Sequence, residues 1–202
     1  MGTASGEFAS TRRSDRVYDE YLVACAQLGD REALSTLAAR WQARLVAHAY
    51  RQARDPDLAR DIVQDAWIDI VRGIRKLSDV AAFPAWAYRI VGRRAADQMR
   101  KKIRIRRTND AYGAEAKIAD ETQQMAQHTP LESSDADRLR RLIGELSVDH
   151  QSVLALFYGE DLSVREVAYA LSLPEGTVKT RLMHARKKLK EKITPLNQGD
   201  QS

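Results

Sequence analysis

The sequence predicts an all-α fold class: two small helical domains, an N-terminal helical bundle and a C-terminal helix-turn-helix domain, joined by an acidic linker. Along most of the 202 residues, apolar side chains recur at i, i+3, i+4 and i+7, the spacing of amphipathic helices. In one internal stretch this periodicity weakens, carboxylates accumulate and Thr129-Pro130 breaks any helix. The expected bounds are 1–14 for a flexible tail or expression-tag remnant, 15–107 for the first domain, 108–137 for the linker, 138–194 for the second domain and 195–202 for a tail.

Composition favours a folded protein with an anionic partner. Hydrophobic residues make up 44% of the chain, enough for a packed core, and the formal net charge is +5. Cys25 is the only cysteine, which excludes an intramolecular disulfide, and the four histidines lack partners at metal-ligand spacing. No apolar run reaches the roughly 20 residues that span a bilayer. We therefore expect no metal, no cofactor, no membrane insertion and a cytoplasmic location.

Four helices account for the N-terminal bundle. Gly29 is a plausible C-cap of the first helix, and Asp30 can cap the second, which ends at Asp55-Pro56. The first, third and fourth helices are expected over about 19–28, 57–76 and 83–106.

The third helix carries an acidic face opposite its apolar stripe. A face of this sign cannot be the side that binds DNA, and for an isolated helix solvated surface would be the default explanation. Ile68, a large apolar residue among the carboxylates, fits a protein interface better. The residues of this face are Asp61, Gln64, Asp65, Ile68 and Asp69.

The fourth helix is strongly basic, with Asp97 as the only opposing charge. Phosphates neutralise such a run, and aromatic rings near its start suit stacking on single-stranded bases. Its inward stripe is expected to run through Trp86, Ile90, Ala95 and Met99. The alternative for Phe83 and Trp86 is a place in the core, which is favoured for Trp86, whereas Tyr88 stays open. The cations are Arg89, Arg93, Arg94, Arg100, Lys101, Lys102, Arg104, Arg106 and Arg107.

The linker is acidic and leaves two interpretations open. It is either a plain spacer or a segment that mimics nucleic acid or threads through a partner. Its carboxylates, with those at its edges, are Asp110, Glu115, Asp120, Glu121, Glu132, Asp135 and Asp137.

The last third of the chain predicts a helix-turn-helix. Two helices are expected over 139–146 and 150–158, ahead of a capping box formed by Ser163 and Glu166. Ser172-Leu173-Pro174 supplies a short turn before a second helix with an apolar back.

The front of that second helix is cationic, as a helix in the major groove of DNA requires. A solvated basic helix is the alternative, but the capping box, the turn and the basic face together favour DNA binding. Outward-facing positions are Lys179, Thr180, Met183, His184 and Lys187, flanked by Arg181, Arg186 and Lys188.

Three segments in this order resemble the bacterial RNA polymerase sigma factors of the extracytoplasmic-function group, in the sigma-70 family. Asp61 to Trp67 is similar to their polymerase-clamp-binding helix, and Phe83 to Ile90 to the segment that melts and reads the −10 element. Leu162 to Ala168, followed by Pro174 to Leu182, resembles their −35-reading helix-turn-helix.

The resemblance implies a factor without catalytic activity whose partners are core RNA polymerase, promoter DNA and an anti-sigma protein. The acidic face of the third helix would bind the polymerase. The −10 residues would be Lys76, Phe83, Trp86, Tyr88, Arg89, Arg93, Arg94 and Arg100. The −35 residues would be Thr177, Lys179, Thr180, Arg181, Met183, His184, Arg186 and Lys187.

Three positions depart from the family pattern. Gly92-Arg93-Arg94 stands where asparagine is frequent, which leaves the preferred −10 sequence open. His184 replaces a frequent arginine, and Ser147-Val148 replaces the usual Leu-Pro.

Two other classes compete with this interpretation. A stand-alone helix-turn-helix regulator explains the last third of the chain but gives the acidic helix and the basic bundle no role. An enzyme acting on nucleic acid would need converging carboxylates, a phosphate-binding glycine loop or an activated nucleophile, and the sequence contains none of these patterns.

Overall fold

The computed structural model describes the backbone of residues 4–111 and 135–193 and the side chains of residues 14–105 and 135–193. Every regular element within those ranges is helical. The elements are α1 (Ala4–Gln27), α2 (Arg31–Ala53), α3 (Pro56–Gly73), 3₁₀ turns at Ile74–Lys76 and Val80–Ala82, α4 (Phe83–Ala111), α5 (Asp135–Gly144), α6 (Val148–Leu154) with a π turn at Ala155–Gly159, α7 (Val164–Leu171) and α8 (Glu175–Ile193). They divide into two compact units, one built mainly from α1 to α4 and one mainly from α5 to α8. The predicted all-α, two-domain class is confirmed.

The expected flexible tail at 1–14 is wrong from Ala4 onward, because α1 already begins there. Leu22 and Val23 pack this helix into the core, and Asp19 accepts a hydrogen bond of 2.7 Å from Nε of Arg40 on α2. A helix that is nucleated by such packing extends at little cost per added residue, so the polar residues before it join the same helix. Residues 1–3 and the predicted tail at 195–202 lie outside the described residues.

The predicted linker is shorter than expected at both edges. α4 runs to Ala111 and α5 begins at Asp135, so 108–111 and 135–137 are helical. Carboxylates in the first turn of α5 interact favourably with the positive end of the helix dipole, which explains the earlier start. The remainder of the linker, 112–134, lies outside the described residues.

Local signals fix the starts of α2 and α3; the cap of α2 at Asp30 was predicted, whereas Asp55 was expected only to end the second helix. The Asp30 carboxylate accepts from the backbone N–H groups of Glu32 and Ala33 at 2.9 and 3.1 Å. The Asp55 carboxylate caps α3 in the same manner, with Pro56 in its first turn. These caps fix the residues at which α2 and α3 begin.

The core of the first unit is aromatic and centred on Trp41 of α2. The Phe83 ring meets the Trp41 ring edge-on at a centroid distance of 5.2 Å, and Tyr88 does so at 5.8 Å. His48 lies 5.0 Å from the Tyr88 ring and is fully buried. Edge-to-face aromatic pairs add about 1 kcal/mol each beyond the area they bury, so α4 is firmly seated on α2.

The second unit holds the helix-turn-helix, and its capping box is confirmed. The Ser163 N–H donates to Oε2 of Glu166 at 2.7 Å, and the Glu166 N–H donates to Oγ of Ser163 at 3.2 Å. The turn to α8 passes through Ser172 in the left-handed region, at φ 55°. Val178 and Leu182 bury the back of α8, which fixes the opposite side outward.

Candidate protein and nucleic-acid interfaces

α3 presents an acidic surface, defined by Asp61, Gln64, Asp65 and Ile68 and called here the α3 outer face. Asp65 is half-buried and the other three residues are exposed. The helix turns this face outward because its opposite side is fully buried. The buried side consists of Ala59, Ile62, Val63, Ala66 and Ile70.

The chemistry of the α3 outer face suits a basic protein surface with an apolar centre. Ile68 is 46% exposed, and Val71, one turn further along the helix, is also 46% exposed. Asp61 and Asp65 make no ion pair with any residue in the described ranges, so their charges remain open to a partner. Val71 was not singled out from the sequence, and it lines a cleft at the end of α3 rather than forming part of the α3 outer face.

Asp69 does not belong to this open surface, which corrects the sequence prediction. Arg94 of α4 donates from Nε and Nη2 to the Asp69 carboxylate at 2.7 and 2.6 Å. This bidentate bond from Arg94 lowers the pKa of Asp69 below its ordinary value. The pair joins α3 to α4, so the charges of Asp69 and Arg94 are partly neutralised within the bundle.

Phe83 and Tyr88 are core residues, so the prediction that they stack on DNA bases is wrong in this structure. Phe83 is 1% exposed and Tyr88 is 0% exposed. The apolar stripe of α4 runs through Phe83, Ala87, Val91 and Ala95, spaced by four residues, and turns both rings inward. Of the inward stripe expected from the sequence, Ile90 and Ala95 are buried, whereas Trp86 and Met99 stay partly exposed.

Trp86 is the one aromatic residue of the three that stays partly exposed. Its ring lies against the backbone of Gly73, because a β-carbon there would come within 2.8 Å of Trp86 Cζ2. The centroids of the Trp86 and Phe83 rings are 6.2 Å apart. Trp86 therefore combines the favoured core contact with an exposed edge.

The predicted −10 cations have different surroundings. Lys76, Arg93 and Arg100 are exposed and Arg89 is half-buried. Arg100 forms an ion pair with Asp97, one turn earlier. Exposed ion pairs contribute about 0–1 kcal/mol, so this one leaves Arg100 able to exchange its partner for a phosphate.

The front of α8 is open as predicted. Lys179, Thr180, Met183 (53% exposed), His184 and Lys187 all lie on the exposed side, opposite buried Val178 and Leu182. The Thr180 hydroxyl donates to the Gly176 carbonyl at 2.9 Å. Its oxygen can still accept a hydrogen bond, and the other front side chains point away from the domain.

The side chains that flank the front of α8 make more contacts within the domain than the front side chains do. Arg181 forms an ion pair with Asp149 of α6, at 2.8 Å, and is half-buried, so its charge is partly used in holding α8 to α6. Arg186 donates from Nε to the Leu182 carbonyl at 3.2 Å but is exposed. Thr177 is half-buried near the start of the helix.

The described ranges show neither a metal centre nor a membrane-spanning helix. No three His, Cys, Asp or Glu side chains in them come together as a metal would require. None of the helices in the same ranges is both long enough and apolar enough to cross a bilayer.

Comparison with protein families gives two matches, one in each domain. The family described as Sigma-70 region 2 matches residues 37–105, and Sigma-70, region 4 matches residues 136–189. Together they cover more than half of the chain. The chain therefore belongs to the sigma-70 family, whose members are non-catalytic factors of transcription initiation. The region 2 match covers α3, most of α2 and most of α4, which are helices that a stand-alone regulator would leave without a role.

Curated relatives of the chain include sigma factors of the extracytoplasmic-function group of that family. The ECF RNA polymerase sigma-E factor of Haemophilus influenzae is 27% identical over 188 residues, covering 91% of this chain and 99% of that protein. The same factor of Escherichia coli K12 is 28% identical, with 91% and 98% coverage. The RNA polymerase sigma-H factor of Pseudomonas aeruginosa is 26% identical, with 88% and 95% coverage.

Two solved structures share the fold. CnrH, in complex with the cytosolic domain of CnrY, matches with a TM-score of 0.57 and 22% identity, covering 88% of this chain and 98% of that one. The sigma factor RpoE of Bartonella quintana, in complex with the anti-sigma factor NepR, matches with a TM-score of 0.56 and 24% identity, covering 83% and 98%.

Proposed function

We propose that this chain binds core RNA polymerase through the α3 outer face and directs it to promoters with its two DNA-binding surfaces. Asp61, Gln64, Asp65 and Ile68 bind the polymerase. Lys76, Trp86, Arg89, Arg93 and Arg100 serve the −10 element. The front of α8 reads the −35 element, with Lys179, Thr180, Met183 and His184 in the major groove and Arg186 and Lys187 at phosphates. The protein acts by binding alone, without a catalytic step, in the cytoplasm.

One observation carries this proposal: opposite charges are separated onto different helices. The carboxylates of Asp61 and Asp65 on the α3 outer face make no ion pair with any described residue, whereas α8 carries cations and no carboxylate from Lys179 to Lys187. A carboxylate surface repels DNA, and a cationic groove-sized helix attracts it. The two faces therefore fit two different partners.

The test is binding to purified bacterial core enzyme at low salt. The wild-type chain is expected to bind, and Asp61→Arg is expected to weaken binding about ten- to hundredfold, because it places like charges together. Glu32→Arg, a charge reversal at another exposed position, on α2, is the matched control and should bind normally. Unchanged affinity of Asp61→Arg, with normal helical content, would refute the docking assignment.

An anti-sigma protein is proposed as the inhibitor. The Bartonella quintana factor, which shares this fold, was solved in complex with the anti-sigma factor NepR. An inhibitor that covers the α3 outer face would compete directly with polymerase. In that case the inhibitor, added at saturating concentration, abolishes core binding by the wild-type chain; simultaneous binding of both would contradict the competition.

A further inference from the structure

A cleft of about 380 Å³ lies where the α1–α2 turn, the start of α2 and the end of α3 meet. The aliphatic part of its lining, called here the aliphatic floor, consists of Ala26, Leu34, Val71 and Ile74. Val71 is 46% exposed, and Leu28, in the adjoining turn, is 90% exposed. Large aliphatic side chains left in water beside an apolar floor mark a surface that gains free energy when a partner covers it.

The lining of this cleft is strongly cationic. Arg31, Arg72 and Arg75 line it, are exposed, and make no ion pair with any residue whose side chain the structure describes. Asp30, the carboxylate in the lining, is engaged as the cap of α2. Three guanidinium groups around one cleft repel one another, and carboxylates of a partner would offset that repulsion.

The turn beneath the cleft is built for this arrangement. Gly29 has φ 96°, a conformation that favours glycine, and a β-carbon there would come within 3.3 Å of Nη2 of Arg75. The absent side chain thus lets the Arg75 guanidinium lie close over the turn. The backbone conformation at Gly29 therefore helps to position Arg75 in the lining of the cleft.

We propose that this cleft binds an acidic amphipathic helix of a partner protein, with its apolar residues on the aliphatic floor and its carboxylates on the three arginines. Charge complementarity selects this occupant. The cleft cannot receive the basic surface that fits the α3 outer face, because its sign is opposite. A nucleic acid would use the arginines but would leave the aliphatic floor and Leu28 uncovered. This site goes beyond the proposed function and needs no polymerase.

The experiment uses the full chain and two fluorescein-labelled peptides of about 14 residues, read by fluorescence anisotropy. One peptide is an amphipathic helix with leucines on one face and glutamates flanking it, and the other has the same composition in scrambled order. The amphipathic peptide is expected to bind at least about tenfold more tightly, and Arg72→Glu with Arg75→Glu should remove that advantage. A peptide with lysines in place of the glutamates should prefer the doubly reversed variant. Arg60→Glu, at the other end of α3, is the matched control and should bind like the wild type.

Three outcomes would overturn the proposal. The first is equal binding of the amphipathic and scrambled peptides. The second is a cleft that binds a single-stranded oligonucleotide but not the peptide, with oligonucleotide binding weakened by Arg72→Glu. That result would make the cleft a polyanion site. The third is loss of core polymerase affinity in the doubly reversed variant without an effect on the peptide. Arg31→Glu, on a different helix, repeats the test in case the double variant is unstable. Because the peptide assay contains no polymerase, failure of polymerase docking leaves its result unaffected.

Discussion

His48 makes the stability of the N-terminal unit depend on pH in a direction that the structure specifies. The imidazole is fully buried beside Tyr88, and its Nε2 lies 3.2 Å from Nε2 of Gln52. The pKa of His48 is lowered from 6.5 to about 3, mainly by burial and to a smaller extent by the charge of Arg51. In the folded protein His48 therefore stays neutral at pH values where the unfolded chain is protonated.

The sign and size of the effect follow from this difference. Below pH 6.5 the unfolded state binds the extra proton, so stability is fully present above that pH and falls as the pH drops from 6.5 toward 3. Each pH unit in that window costs about 1.4 kcal/mol, which gives a loss of about 2 kcal/mol between pH 8 and pH 5 from this one residue.

The assay is urea unfolding at pH 8 and pH 5, for the wild type and for His48→Gln. The wild type should lose about 2 kcal/mol more than the variant, because the variant keeps every other titrating group and so serves as the control. The NMR signal of the His48 ring provides a second measurement that needs no variant. A titration midpoint between 6 and 7 for that ring in the folded protein would refute the reasoning.

Three further predictions concern packing and DNA recognition. Phe83→Ala should cost about 3–5 kcal/mol in urea unfolding, since it empties a buried aromatic site, and a cost below about 1 kcal/mol would contradict its core position. In a double-mutant cycle, Asp69→Ala and Arg94→Ala should show a coupling energy of about 1 kcal/mol, and additive effects would mean that the bidentate pair is absent in solution. Lys179→Ala should lower reconstituted transcription several-fold, a loss of about 1–2 kcal/mol, only on promoters with a −35 element; equal loss on promoters without one would argue against its assignment.

Local signals made most of the fold predictable from sequence. The caps Asp30 and Asp55 and the box of Ser163 and Glu166 act within a few residues, so their spacing alone positions three helix starts. The polarity of α3 and the front of α8 were likewise predictable, because one helical period separates the buried and exposed sides.

The sequence predictions that were wrong concern features that depend on contacts between residues distant in sequence. Asp69 and Arg94 are 25 residues apart, and only the packing of α3 on α4 brings them together. The sequence is compatible with two roles for the Phe83 ring, stacking on a base or packing in the core. Its edge-on contact with Trp41 shows that it packs in the core. The early start of α1 depends on packing against α2, which the polar sequence of its first turns does not reveal.

Core-polymerase titrations of the wild type, Asp65→Arg and Lys179→Glu test most directly whether α3 and α8 serve different partners. Asp65→Arg should lose core affinity about tenfold or more, whereas Lys179→Glu should keep it and lose only −35-dependent transcription. Equal core affinity for all three proteins, or equal loss in both variants, would contradict the assignment of polymerase to the acidic helix and DNA to the basic one.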